Sequence, residues 1–111
     1  MADKIKLVQG DTRPYIRVAL KDLDGIPIDV SLATVRFKFR AAGSTATLFV
    51  EECSKPNGGT DGVVLFSFPP NGLNVSPGPY EGEIEISYSA TDVQTVYDLL
   101  KFSVRAQFAN T

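Results

Sequence analysis

Apolar and polar residues alternate along most of this chain, and the three- and four-residue spacing of an amphipathic helix is nearly absent. Ile5 and Leu7 alternate with Lys4 and Lys6, which predicts a short first strand over residues 4–8. Gln9-Gly10-Asp11-Thr12 then turns the chain, and Pro14, with no N–H to donate, belongs at a strand start or a sheet edge. Ile16, Val18 and Leu20 face one way; Tyr15, Arg17 and Lys21 face the other. Asp22-Leu23-Asp24-Gly25 has the composition of a tight turn with its glycine at positive φ, and Ile26 to Val30 reads as the returning arm of a half-buried hairpin.

The next hairpin has the sharpest alternation. Val35, Phe37 and Phe39 interleave with Thr34, Arg36, Lys38 and Arg40; Ala41-Ala42-Gly43-Ser44 is the loop; Ala46, Leu48 and Val50 then interleave with Thr47, Phe49 and Glu51. With Arg40 opposite Thr45, the inner pairs are Phe39–Ala46, Phe37–Leu48 and Val35–Val50. The outer pairs are Lys38–Thr47, Arg36–Phe49 and Thr34–Glu51. A slip of one residue would reverse both faces.

Residues 53–62, CSKPNGGTDG, form a flexible turn, and GVVLFSF (62–68) is apolar on both faces, as in a central or covered strand. PPNGLNVSPGP (69–79) has the length of a crossover between two sheets. From Tyr80 to Tyr88 the pattern puts Ile84, Ile86 and Tyr88 inside and Glu81, Glu83 and Glu85 outside. After a polar loop over 89–95, a last strand from Val96 to Phe108 places Leu100, Phe102, Val104 and Phe108 on one face. Lys101, Ser103, Arg105 and Gln107 fall on the other. The sum is roughly seven or eight strands with frequent turn signals, the pattern of an all-β sandwich or small barrel. No internal repeat or linker divides residues 1–111, so one domain is expected.

Composition narrows the function classes. The chain is 43% hydrophobic and 22% charged, which argues against a disordered tail. Its formal charge of −2 weighs against a general nucleic-acid binder. Cys53 is the only cysteine, so no internal disulfide forms, and it reads as a small apolar residue near a strand end. MADKIKLVQG lacks the apolar core of a signal peptide, and no stretch approaches the ~20 apolar residues of a membrane span. The expectation is synthesis in a cytoplasm and no membrane partner.

Candidate chemistry is sparse. Histidine and tryptophan are absent, which removes the commonest general base and rules out a serine-hydrolase triad. No glycine-rich loop leads into a helix to cradle phosphate. Aligning Gly25 with the glycine of a calcium loop puts Leu20 at the first ligand position and Ser31 where a bidentate Glu belongs, so the Asp22–Asp29 stretch reads as a turn. Two charged rows remain. Glu81, Glu83 and Glu85 lie ~6.5–7 Å apart along a strand, a spacing resembling a glycosidase pair but on a presumed outer face without a cleft. Arg36, Lys38 and Arg40 form a basic row that is either a solvated face with Thr and Glu cross-strand partners or a contact surface for an acidic neighbour. These six residues are the candidate partner-binding set. No catalytic residue, metal ligand, cofactor site or small-molecule substrate is expected.

Several segments together resemble a known family. Gln9-Gly10-Asp11-Thr12, Val18-Ala19-Leu20-Lys21-Asp22, Asp24-Gly25-Ile26-Pro27-Ile28-Asp29-Val30 and Val35-Arg36-Phe37-Lys38-Phe39-Arg40 are similar to the amino-terminal domain of tailed-phage baseplate upper proteins. Asp61-Gly62-Val63-Val64 and Pro79-Tyr80-Glu81-Gly82-Glu83-Ile84-Glu85 fit the same pattern, so the resemblance covers nearly the whole chain. It implies an immunoglobulin-like antiparallel β-sandwich that docks a receptor-binding device onto a baseplate. The family continues into helical and receptor-linked regions where this chain ends at Thr111, so a small stand-alone virion component is the expectation here. The implied function is non-enzymatic: a structural part of a tailed-phage virion, in the tail, baseplate or fibre-attachment region. Its partners would be other virion proteins, copies of itself among them. A capsid decoration or head–tail component with the same fold is the first alternative, and a carbohydrate-binding host-adhesion module the second. No nucleic acid is expected as a partner, and the protein is expected in the virion after assembly in the host cytoplasm.

Overall fold

A computed structural model describes residues 4–96 and 99–108. The described residues form eight strands: β1 Ile5–Val8, β2 Tyr15–Ala19, β3 Thr34–Ala41, β4 Phe49–Glu52, β5 Val63–Ser67, β6 Gly78–Ser89, β7 Asp92–Thr95 and β8 Leu100–Arg105. They build a β-sandwich of two sheets. The larger sheet runs β1-β8-β6-β3-β4, with β7 also beside β6; β2 and β5 form the smaller sheet. Only the β1–β8 pairing is parallel among the described strands.

The alternating pattern dictates the core. Val35, Phe37 and Phe39 of β3, Ile84 and Ile86 of β6, and Phe102 and Val104 of β8 point inward from the large sheet. Val64 and Phe66 of β5 meet them from the small sheet. Phe37 is the hub: its ring stacks on Phe66 at 3.8 Å between centroids and meets Phe39, Phe49, Phe68 and Phe102 at 5.8 to 6.1 Å. Room for that ring comes from Gly82 on β6, where an added Cβ would overlap Phe37 and lie 2.9 Å from Phe102.

The 69–77 segment crosses from β5 in the small sheet to β6 in the large one, as its length suggests, and drops Leu73 (1% exposed) into the core. Tyr80, at the start of β6, donates its hydroxyl to the carbonyl of Ser76, four residues upstream, at 2.5 Å and stacks on Phe39. The geometry is that of a tyrosine corner, in which a hydroxyl at the start of a strand ties down the connection before it.

Three stretches of the chain depart from expectation. The 15–30 hairpin shrinks to its turn. Asp22-Leu23-Asp24-Gly25 closes with Gly25 at φ +80°, but beyond one bridge between Lys21 and Pro27 the return arm forms no strand. Pro27 has no N–H to extend a ladder, Val30 N–H goes to Gly59, and β2 pairs instead with β5, Ile16 opposite Phe66 and Val18 opposite Val64.

The second hairpin is displaced by three residues. Phe39 faces Phe49, Lys38 faces Val50 and Phe37 faces Glu51. An odd displacement exchanges the faces, so Phe49 packs on Phe39 at 5.1 Å while Leu48 and Val50 stand 49% and 48% exposed. The observed register instead brings the Phe49 ring against Phe37, Phe39 and Phe68, adding it to the aromatic cluster of the core.

At the carboxyl end the expected polar loop over 89–95 contains β7, a hairpin partner of β6 with a register irregularity between Ser87 and Ser89. Tyr88, expected inside, is 38% exposed beside that irregularity, and Phe108 lies past the end of β8 at 86% exposed.

Candidate functional site

The two charged rows meet on the outer face of the large sheet. β3 and β6 are antiparallel neighbours, with Arg36 opposite Glu85, Lys38 opposite Glu83 and Arg40 opposite Glu81. Both strands alternate with period two and both bury their apolar positions, so the intervening charged positions share the solvent face. Neither row needs another molecule to find opposite charge.

The contacts are specific. Arg40 Nε donates to Glu81 Oε1 at 3.1 Å, and Lys101 Nζ of β8 lies 3.6 Å from Glu81 Oε2. Lys38 Nζ passes its register neighbour Glu83 and donates to Glu85 Oε2 at 3.0 Å, with Arg36 Nη1 4.0 Å from the other oxygen of Glu85. Glu83 makes no ion pair among the described residues. Glu81 is 9% exposed. Burial pushes its carboxyl up, but the hydrogen bonds from Arg40 and the Gly43 N–H and the charges of Arg40 and Lys101 outweigh it, leaving the group below its ordinary value. The cations remain a third to a half exposed, so each pair contributes only about 0.2–1 kcal/mol.

Beyond the basic row the face changes character. Val50 of β4 sits opposite Lys38, and together with Leu48 it forms an exposed apolar strip on the outer strand of the sheet. Glu52, opposite Arg36, ends that strip. Sequence reasoning found both charged rows but looked for the partners of the basic row on β4, and it missed Leu48 and Val50 because it assigned them to the core. Lys101 was visible as an outward residue of the last strand; its pairing with Glu81 was not, because no local pattern says which strand lies beside β6.

The Asp22–Asp29 carboxylates serve the backbone. Asp22 Oδ1 accepts the N–H groups of Asp24 and Ile26 at 2.9 and 3.0 Å. Asp29 Oδ1 accepts the Ser31 N–H at 2.9 Å, and hydrogen bonding to Ser31 holds the Asp29 carboxyl below its ordinary value. Cys53 is buried just past β4; burial, with Glu51 and Glu52 nearby, pushes its thiol up to about 12. No protein-family model matches the chain, and no curated protein matches its sequence.

Proposed function

We propose that this protein is a non-enzymatic structural component of a tailed-phage virion, acting in the tail, baseplate or fibre-attachment region by docking onto other virion proteins. The observation that carries the docking part is the exposed Leu48–Val50 strip beside the basic row. An apolar centre flanked by arginine is the composition of an interface core, and a solvated sheet face gains nothing from two exposed aliphatic residues. Arg36, Lys38 and Arg40 contribute the cationic rim of that face. Glu81 and Glu85 orient them, and Glu83 offers an acceptor to a partner's cation. The phage assignment rests on the resemblance of the Gln9–Arg40 and Asp61–Glu85 segments to baseplate upper proteins.

The test is mass spectrometry and gold-labelled electron microscopy of purified particles from the producing strain. The proposal expects the chain at a fixed copy number and at one site toward the tail end. Label over the capsid would favour the decoration reading, and absence from particles would end the virion assignment.

A further inference from the structure

Two strands leave open edges of complementary chemistry. Among the described strands, β2 pairs with β5 on one side only. Leu20 N–H donates to Gly62, so by alternation Val18 and Ile16 exchange hydrogen bonds with β5, while the backbone groups of Tyr15, Arg17 and Ala19 point away from it. β4 is the other case. Cys53 N–H donates to Val35, so the backbone groups of Val50 and Glu52 point away from β3. Ser54, next on that side, already exchanges both bonds with Leu65; beyond that bridge no β4–β5 pairing follows among the described residues, and Glu52 lines an open pocket with Tyr15 and Ser67. Arg17 on one edge and Glu52 on the other make no ion pair among the described residues. The β1 edge, by contrast, carries Lys4 and Lys6, which discourage pairing.

We infer that the β2 edge of one copy of this chain pairs with the β4 edge of a second copy, Arg17 opposite Glu52. On both edges the residues with free backbone groups are those whose side chains face solvent, so an antiparallel pairing keeps outer face with outer face. Arg17 then meets Glu52 and Ala19 meets Val50 on the solvent side, while Val18 meets Glu51 within. Charge selects the occupant. Joining β2 to β2 would bring Arg17 against Arg17, and joining β4 to β4 would crowd Glu51 and Glu52 of both copies; only the unlike edges attract. The contact is head-to-tail, so it builds rings or filaments according to the rotation it imposes. This inference rests on the docking reading and names one partner for it.

The experiment is analytical ultracentrifugation of the wild-type chain up to about 1 mM, with Arg17→Glu, Glu52→Lys and the double variant. The expected result is concentration-dependent self-association, weakened about tenfold or more by either single reversal and restored in the double. Val50→Pro is the backbone arm: it removes an N–H directed at the open edge without a β3 ladder bond, so the circular dichroism spectrum should hold while association is lost. A wild type that stays monomeric throughout, single reversals that associate like wild type, or a double variant weaker than either single would overturn the inference. A monomeric protein that still enters particles would reject the self-pairing and leave the docking reading standing; a self-associating protein absent from particles would do the opposite.

Discussion

Arg40 and Glu81, forty-one residues apart in the chain, meet at 3.1 Å on the outer face of the large sheet, and Lys101 closes on the same carboxylate from the other side. The acidic row is therefore part of the sheet's own structure. Glu81→Ala should cost about 1–2 kcal/mol at low salt and less at high salt, because its cationic partners are partly exposed. Chemical denaturation at two ionic strengths checks both statements.

The same contact makes stability depend on pH. The folded carboxyl of Glu81 lies below its ordinary value of 4.5, so its contribution is present above that value and is lost as pH falls through the lower folded one. Glu81→Gln should lower stability at neutral pH and change it little in acid, which flattens the acid limb of the stability profile. An acid limb identical to wild type would show that Glu81 carries no part of it.

Phe37 and Gly82 are a matched pair in the core. Phe37→Ala should cost about 3–5 kcal/mol, because the ring is fully buried and contacts both sheets. Gly82→Ala should destabilise strongly for the opposite reason: the new methyl group competes with the Phe37 ring for the same space. Pairing Gly82→Ala with Phe37→Leu should recover part of the loss in urea unfolding.

The tyrosine corner can be tested with one atom. Tyr80→Phe removes the hydrogen bond to Ser76 and keeps the stack on Phe39, and should cost about 0.5–1.5 kcal/mol with the fold intact. A loss much larger than this would mean that the hydroxyl organises more of the 69–77 crossover than its one bond implies.

Cys53 should be inert in the native protein. With its thiol pushed up to about 12 and its side chain buried, an aromatic disulfide reagent at pH 8 should react only after denaturant is added. Likewise, EDTA should leave the melting temperature unchanged, since Asp22 and Asp29 are occupied by backbone N–H groups. A chelator-induced drop of many degrees would contradict that account of the turn.

Much of the fold was legible in the chain because period-two alternation encodes which side of a strand is buried. Val35, Phe37, Phe39, Ile84, Ile86, Phe102 and Val104 all sit inside as read. Pairing partners were less legible. Hairpin logic joined 15–21 to 26–30 and 34–40 to 46–51, whereas β2 chose β5, distant in sequence, and β4 shifted to bury Phe49. Local turns do not decide between near and distant partners; the packing of rings such as Phe37 on Phe66 does. The candidate site shared this fate. Its two charged rows were plain in the alternation, but their adjacency across β3 and β6, and the exposed strip at Leu48 and Val50, depend on registers that only the assembled sheet specifies.

The docking claim is tested most directly by competition for incorporation. Val50→Asp changes a residue that is 48% exposed and outside the core, so the isolated variant should keep its spectrum and melt within a degree or two of wild type. Co-expressed with wild type in the producing host, it should be strongly under-represented in purified particles. Incorporation of the two chains in proportion to their expression would contradict the account, because the Leu48–Val50 strip would then play no part in assembly.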